Sequence, residues 1–250
     1  EVVDYIIKGT AGTQEEAKKF EANRLAQFEA NRLAEAGNRS FLQAEYQDAI
    51  EFYEQALLIR REIGDRASEG TILNNIGLIY DHLSQYSKAL DYYEQALLIS
   101  QEIDNNIGEG RTLYNIGATY KDLGLYSNAL EYYYQALIIS RNNGDRAGED
   151  IILSSIGFSY DLLGQYLQAL NYYEQALIIS RETLDRNDES TVLSNIGHTY
   201  NNLGQYSQAL VHFEQALTIS REMDNRASES IILNNIGSLY NTLGQHSQAL

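Results

Sequence analysis

An amide side chain recurs directly before an Ile-Gly pair at regular intervals along the sequence. The position is occupied by Asn75, Asn115, Asn195 and Asn235, by Ser155 in one copy and by Glu35 in the earliest. Asparagine is a poor helix former, but its amide both donates and accepts hydrogen bonds. An extended peptide has unpaired backbone N–H and C=O groups at regular spacing. A row of amides therefore predicts a surface that binds a peptide backbone with little regard to its sequence.

The row depends on an internal repeat with a period of 40 residues. Its small positions are Gly37, Gly77, Gly117, Gly157, Gly197 and Gly237, and then Ala49, Ala89, Ala129, Ala169, Ala209 and Ala249. A tyrosine precedes the alanine at Tyr46, Tyr86, Tyr126, Tyr166 and Tyr206, and His246 replaces it in the last copy. A repeat of this length indicates stacked units, each of which buries the apolar face of its neighbour.

Each unit contains two helical patterns. In one unit the first apolar stripe is Leu73, Ile76, Gly77, Tyr80 and Leu83, and the second is Tyr86, Ala89, Leu90, Tyr93, Ala96 and Leu97. The glycine is expected where the two helices approach closely, with the alanines on the same seam and the tyrosines beside it. An Asp or Asn at 65, 105, 145, 185 and 225 is expected to cap the next helix. The repeats predict about twelve helices in the whole chain.

These residues carry a family resemblance. Leu73-x-x-Ile76-Gly77-x-x-Tyr80, followed by the second stripe, resembles the signature of the tetratricopeptide repeat (TPR). The copies depart from it by a leucine at the first position, by the lack of a closing proline and by a unit longer than the usual length of about 34 residues. This longer form is similar to the repeats of kinesin light chains, Pins-type adaptors and bacterial TPR signalling proteins. The resemblance covers residues 30–250 and implies an all-α fold, a right-handed TPR superhelix (α-solenoid) of antiparallel helix pairs.

The resemblance also implies where a ligand binds. In the family the first helix of each pair lines a concave groove, and the asparagine row faces it. The adjoining positions expected to provide specificity are Asn74, Tyr114, Ser154, Ser194 and Asn234, together with Arg111, Lys121, Phe158 and His198. The alternative is that the asparagines are solvated surface residues or belong to the hydrogen-bond network of the repeat itself.

Some members of the family hold a C-terminal carboxylate with two asparagines and several basic residues. Asn38 and Asn75 match the two asparagine positions, and Arg111 matches one basic position. Ala34 and Asn115 replace two other basic residues, so this carboxylate clamp is incomplete.

Composition and charge exclude several classes of function. The net charge is −17, with 35 acidic and 18 basic residues, which disfavours DNA or RNA as a partner. No apolar run approaches the length of about 20 residues that a membrane span needs. The sequence has no cysteine, which favours a reducing compartment, and we expect a cytoplasmic protein. No phosphate loop, nucleophile elbow or zinc motif occurs, and nearly every acid has counterparts in other units. We therefore expect no enzyme, no metal and no cofactor, and we interpret the acids as solvated faces and caps.

The predicted organisation is an N-terminal helical extension over residues 1–29 and a TPR array over residues 30–250, with five full repeats and a truncated sixth. A glycine break is expected at residues 9–12. Because the chain starts at Glu1 and stops at Leu250 inside a helix, we expect a fragment whose last repeat is open to end-to-end self-association. The predicted function is a protein-interaction scaffold. Its alternatives are a regulatory or sensor array of a larger peptidase- or kinase-like protein, and a structural spacer.

Overall fold

The computed structural model describes the backbone of residues 2–244 and the side chains of residues 15–244. This part of the chain forms eleven α-helices and no strand. The helices are α1 (Val2–Leu42), α2 (Tyr46–Ile63), α3 (Arg66–His82), α4 (Tyr86–Glu102), α5 (Asn106–Asp122), α6 (Tyr126–Asn143), α7 (Arg146–Leu162), α8 (Tyr166–Glu182), α9 (Arg186–Asn202), α10 (Tyr206–Glu222) and α11 (Arg226–Thr242).

The chain consists of two compact units. The first comprises residues 1–112 and contains α1 to α4 and the beginning of α5, whereas the second comprises residues 113–250. Within the first unit α1 packs on α2, α2 on α3 and α3 on α4. Within the second unit each helix from α6 to α10 packs on the next, and α7 also contacts α9. Connections of two or three residues make consecutive helices antiparallel, as predicted.

The beginning of the chain differs from the expectation. α1 continues without interruption through residues 9–12, where the two glycines predicted a break. A glycine costs a helix about 1 kcal/mol, which weakens it without stopping it as a proline would. The predicted twelfth helix, with His246 and Ala249, lies outside the described residues.

In α1, α3, α5, α7 and α9 the repeat glycine lies against an aromatic ring of the following helix, as predicted. A Cβ on Gly77 would lie 2.7 Å from Cε1 of Tyr93, and a Cβ on Gly157 would lie 2.8 Å from Cδ1 of Tyr173. The seam alanines of the second helices, such as Ala169 and Ala176, have no exposed surface. Close approach of the helices at the glycine therefore fixes the geometry of each pair.

The predicted helix caps are confirmed. A side-chain oxygen of Asp65, Asn105, Asp145, Asp185 or Asn225 accepts a hydrogen bond from the backbone N–H three residues later, at 3.0 to 3.2 Å. Each of these residues follows one with a positive φ, which is glycine at 64 and 144 but Asp104, Leu184 or Asp224 elsewhere. The cap thus marks the beginning of each repeat even where glycine is missing.

Three glutamates contradict the prediction that the acids are solvated. Glu69, Glu149 and Glu189 are buried, and each receives hydrogen bonds from two arginines. Nε of Arg141 lies 2.7 Å from Oε1 of Glu149, and Nη1 of Arg146 lies 2.7 Å from Oε2 of the same residue. Both arginines lower the pKa of Glu149 against the opposing effect of burial, which is the largest single contribution. The repeated Arg-x4-Arg-x2-Glu spacing in the sequence is the signal of this network.

Candidate functional site

An open groove of about 260 Å³ lies in the second unit. Three successive first helices line it, which are α5, α7 and α9. The lining residues are Lys121 from α5, Asp150, Ile151, Ser154, Ser155 and Phe158 from α7, and Asp188, Thr191, Val192 and Asn195 from α9.

Helical periodicity brings these side chains onto one surface. Ile151, Ser154, Ser155 and Phe158 are spaced at three, four and seven residues along α7, so they lie on one face of the helix. The apolar residues Ile152, Leu153 and Ile156 lie on the buried face. Packing of α7 against its partner therefore holds the polar face towards the groove.

Three residues predicted to bind a ligand meet in this groove, namely Lys121, Phe158 and Asn195. The Phe158 side chain is 41% exposed although it is a large apolar group. Nζ of Lys121 lies 3.0 Å from Oδ1 of Asp122. Ser154, predicted as an adjoining position, and Ser155, the serine of the row, line the same groove.

The hydroxyl of Ser155 is hydrogen-bonded within its own helix. Oγ of Ser155 donates to the carbonyl oxygen of Ile151 at 2.9 Å, an intrahelical bond. The polar side chains that line the groove are suited to hydrogen bonds with a ligand. Among residues 15–244 no three potential metal-ligating side chains come together.

The predicted position of Asn74 in the groove is wrong. Asn74 is only 3% exposed, and its Oδ1 accepts a hydrogen bond from Oγ1 of Thr112 at 3.2 Å. The residue therefore belongs to the interior of the first unit. Its neighbour Asn75 lies one step around the helix and is half-buried.

The two asparagines of the incomplete carboxylate clamp meet one tyrosine. The hydroxyl of Tyr53 donates to Oδ1 of Asn38 at 2.5 Å. Burial raises the pKa of Tyr53, and a hydrogen bond from Asn75 opposes that rise. In the first unit these asparagines therefore take part in the repeat's own hydrogen-bond network. Arg111, the matching basic residue, is exposed on α5.

The remaining predicted residues lie outside the lining of this groove. The ring centroid of Tyr114 is 5.6 Å from that of Tyr133, and the carbonyl oxygen of Asn115 accepts from Oγ1 of Thr119 at 3.1 Å. Asn234 is exposed and Asn235 is half-buried on α11.

His198 on α9 also lies outside the groove lining. Its Nδ1 lies 3.6 Å from Oδ2 of Asp161, and this partner raises the pKa of His198 against the effect of burial.

Asp150 is the groove residue that the sequence analysis missed. It is 2% exposed, and neither carboxylate oxygen has a hydrogen-bond partner among the described residues. Burial, and then the carboxylates of Asp188 and Asp185, raise the pKa of Asp150 to about 7. The signal was present in the repeat, because the equivalent position holds Ala30, Gly70, Gly110, Ser190 and Ser230 in the other copies.

No helix within the described residues combines the length and hydrophobicity needed to cross a bilayer. This finding concerns only that part of the chain.

Comparison with solved structures identifies the same architecture in several proteins. RapI in its apo form matches at 20% identity and a TM-score of 0.77, over 90% of this chain and 64% of that one. A Rap protein complexed with competence and sporulation factor matches at 17% identity and a TM-score of 0.67, over 88% and 72%. The chain thus spans about two thirds of the length of RapI.

Two further kinds of protein share the fold. The TPR-like repeats of a protein assigned as a kinesin light chain of Podospora anserina match at 18% identity and a TM-score of 0.66, over 78% of this chain and 96% of that one. A signal transduction ATPase with a tetratricopeptide repeat sensor, PH0952 from Pyrococcus horikoshii, matches at 18% identity and a TM-score of 0.80, over 91% and 36%. At these identities the likeness concerns the fold, and it confirms the predicted all-α repeat superhelix.

No curated protein matches the sequence significantly. The sequence profile described as "Tetratricopeptide repeat" matches residues 32–102, 108–182 and 188–250. These segments cover most of the chain and coincide with the stacked helix pairs. The protein belongs to the tetratricopeptide repeat family and has the fold of a repeat scaffold.

Proposed function

We propose that this scaffold binds an extended peptide or protein segment in the groove of its second unit. The observation that carries the proposal is the meeting of Lys121, Phe158 and Asn195 in one groove, since each comes from a different first helix. A segment that crosses successive helices would contact all three.

The groove offers the chemistry that a peptide requires. The amide of Asn195 can donate to a backbone carbonyl and accept from a backbone N–H, and the hydroxyls of Ser154 and Thr191 lie on the same surface. Phe158 offers exposed apolar area for a side chain of the ligand. Small-molecule pockets usually enclose about 300–1,000 Å³. An open groove of about 260 Å³ suits part of a longer chain better.

The asparagine row extends this proposal beyond the groove. Asn115 and Asn235 are half-buried at positions equivalent to Asn195, and we propose that they contact the same backbone. Asn75 has a hydrogen bond with Tyr53, so its contribution includes support of the repeat itself. Tyr114, His198 and Asn234 are proposed to contact the flanking parts of the ligand, and Arg111 stays a predicted contact of the first unit.

The comparisons support a binding role. One matched structure is a Rap protein in complex with a factor, and the matching family is a repeat family. We therefore propose that the protein acts as a cytoplasmic adaptor without catalytic activity, and with no nucleic-acid or membrane partner. End-to-end self-association through the last repeat is proposed on the exposure of Leu233, which is 43%, whereas the equivalent Leu153 and Leu193 are 0% and 1% exposed.

An unbiased peptide-display selection on the 250-residue chain tests the proposal. Peptides selected by the wild type should bind a Phe158→Ala/Asn195→Ala variant at least tenfold more weakly. The control is Ile138→Ala, which removes an apolar side chain from the second helix α6 that is 60% exposed, more than the 41% of Phe158. Equal affinities for all three proteins would move the binding site away from the groove.

The second candidate is a sensor array within a larger signalling protein with a peptidase- or kinase-like effector domain. PH0952 favours it, because its tetratricopeptide repeats are described as a sensor and this chain matches only 36% of its length. The complete gene distinguishes the two candidates. An effector domain encoded beside the repeats would support the sensor, and its absence would leave the adaptor.

A further inference from the structure

Asp150 departs from the repeat at a position that lies in the groove. The other copies have alanine, glycine or serine there, and in α9 the hydroxyl of Ser190 donates to the carbonyl oxygen of Ala216 at 3.0 Å. The fold therefore requires only a small residue at this position. An aspartate adds a carboxylate that the helix pair does not need.

The surroundings of Asp150 leave its charge without compensation. Both oxygens lack a hydrogen-bond partner within the described part of the chain, and the residue is 98% buried. Burying an unpaired carboxylate costs several kcal/mol, so such groups in proteins normally have a partner.

The charged groups that face Asp150 on α7 and α9 increase this cost. Asp188 and Asp185 at the beginning of α9 disfavour its charged form, as does Glu149 on its own helix. Arg146 acts in the opposite direction but is already hydrogen-bonded to Glu149. Arg146 also contacts Glu182 through its second nitrogen, so it is engaged on both sides. Lys121, the cation of the groove on α5, lies beside Asp122.

A second carboxylate lines the same groove. Asp188 lies on α9, and its own pKa is raised by burial and by Asp185. Two carboxylates that repel each other would both be stabilised by one cation placed between them. Among residues 15–244 no third His, Cys, Asp or Glu side chain joins these two carboxylates, so an organic cation is a better match than a metal ion.

We propose that Asp150 and Asp188 form a subsite of the groove that binds a cationic side chain, a lysine or an arginine, of the bound peptide. This inference rests on the proposed function and names the chemical class of its ligand. An arginine fits best, because its planar guanidinium can donate to two carboxylates at once. The net charge of −17 attracts a basic segment to the surface before it docks.

The direct test uses a small probe in place of the unidentified peptide. N-acetylargininamide and its neutral analogue N-acetylcitrullinamide are titrated separately into the 250-residue protein, whose aspartate carboxyl carbons carry ¹³C. The argininamide should shift the Asp150 and Asp188 resonances and lower the apparent pKa of Asp150 by at least one unit. The citrulline compound should leave both unchanged. Identical responses to the two probes would overturn the inference.

Two variants separate the subsite from the fold. Asp150→Ser introduces the residue found in the two following repeats, Ser190 and Ser230, so it should fold normally and lose the difference between the probes. Glu131→Gln removes the same charge from an exposed position on α6 and should retain the full response. A response that survives in Asp150→Ser would also overturn the inference.

The display selection separates this inference from the proposed function. Peptides selected by the wild type should carry lysine or arginine at one fixed position, and this preference should fall at least tenfold with Asp150→Ser. Selected peptides without a basic residue would overturn the subsite and leave groove binding intact. Failure to select any peptide would overturn the proposed function and, with it, the inference.

Discussion

Gly157 on α7 lies directly against the ring of Tyr173 on α8. A Cβ at residue 157 would approach Cδ1 of the ring to 2.8 Å and Cε1 to 2.9 Å, distances that real Cβ atoms do not adopt. Tyr173 is itself 1% exposed, and Ala169 and Ala176 on the same helix are fully buried. The glycine therefore determines how closely α7 and α8 pack, and with it the position of the groove residues on the opposite face of α7.

Gly157→Ala should accordingly destabilise the second unit although alanine is the better helix former. Insertion of a methyl group into a packed seam costs about 1–3 kcal/mol, which exceeds the helix-propensity gain of about 1 kcal/mol. Urea denaturation followed by circular dichroism measures the change. Gln168→Ala, at an exposed position of α8, is the control and should have almost no effect. A more stable Gly157→Ala protein would show that the seam can relax.

Asn75 and Asn195 occupy equivalent repeat positions but should respond differently to substitution by alanine. Asn75→Ala removes a hydrogen bond to the buried phenol of Tyr53, which should cost about 1 kcal/mol of stability. Asn195→Ala, in the groove, should leave stability unchanged or slightly higher and weaken a selected peptide by about 0.5–1.5 kcal/mol.

Thermal unfolding and isothermal titration calorimetry of both variants check this pair of expectations. Substitution of Asn75, Asn115, Asn195 and Asn235 together should then weaken binding at least tenfold. If Asn195→Ala lost stability as Asn75→Ala does, the asparagines would belong to the repeat's own hydrogen-bond network throughout. The proposed binding row would then be wrong.

The sequence predicted the recurring glycines and helix caps, but the recurring arginine–glutamate network and the single departure at Asp150 were missed. Gly157 and the cap Asp145 have counterparts at intervals of 40 residues, so their roles follow from the periodicity of the sequence. Asn74 was misplaced because one residue along a helix turns the side chain by about 100°, and only the packing of Thr112 shows on which side of the boundary it lies. Asp150 was overlooked for the opposite reason, since a single departure from a repeat is visible only against the aligned copies.

Glu149 provides a test of the buried arginine–glutamate network. Glu149→Gln should lower stability by about 1–3 kcal/mol, because two charge-assisted hydrogen bonds from Arg141 and Arg146 are weakened. The pKa of Glu149 is lowered in the folded state, so its stabilisation is present above the unfolded value of about 4.5 and is lost as the pH falls.

The difference in unfolding free energy between wild type and Glu149→Gln should therefore shrink between pH 5 and pH 3, as measured by urea denaturation at each pH. Glu131→Gln, whose glutamate is exposed, should show no such difference. A constant difference across this range would mean that Glu149 contributes through its shape alone.

Asp150 should produce the opposite dependence on pH. Its pKa is raised to about 7 in the folded protein from the ordinary value of 3.8, so the folded state holds the proton more tightly than the unfolded state. Its contribution to stability is present in full below pH 3.8 and is lost as the pH rises through 7. A shift of this size corresponds to a loss of up to about 4 kcal/mol.

In Asp150→Ser this titration is absent, so the variant should match the wild type near pH 4 and exceed its stability at pH 8. Urea denaturation of both proteins at four pH values between 4 and 8 gives the difference curve, in which the titrations of groups that do not interact with Asp150 cancel. A flat difference curve would mean that Asp150 is charged and satisfied in the folded protein, and its supposed lack of a partner would be wrong.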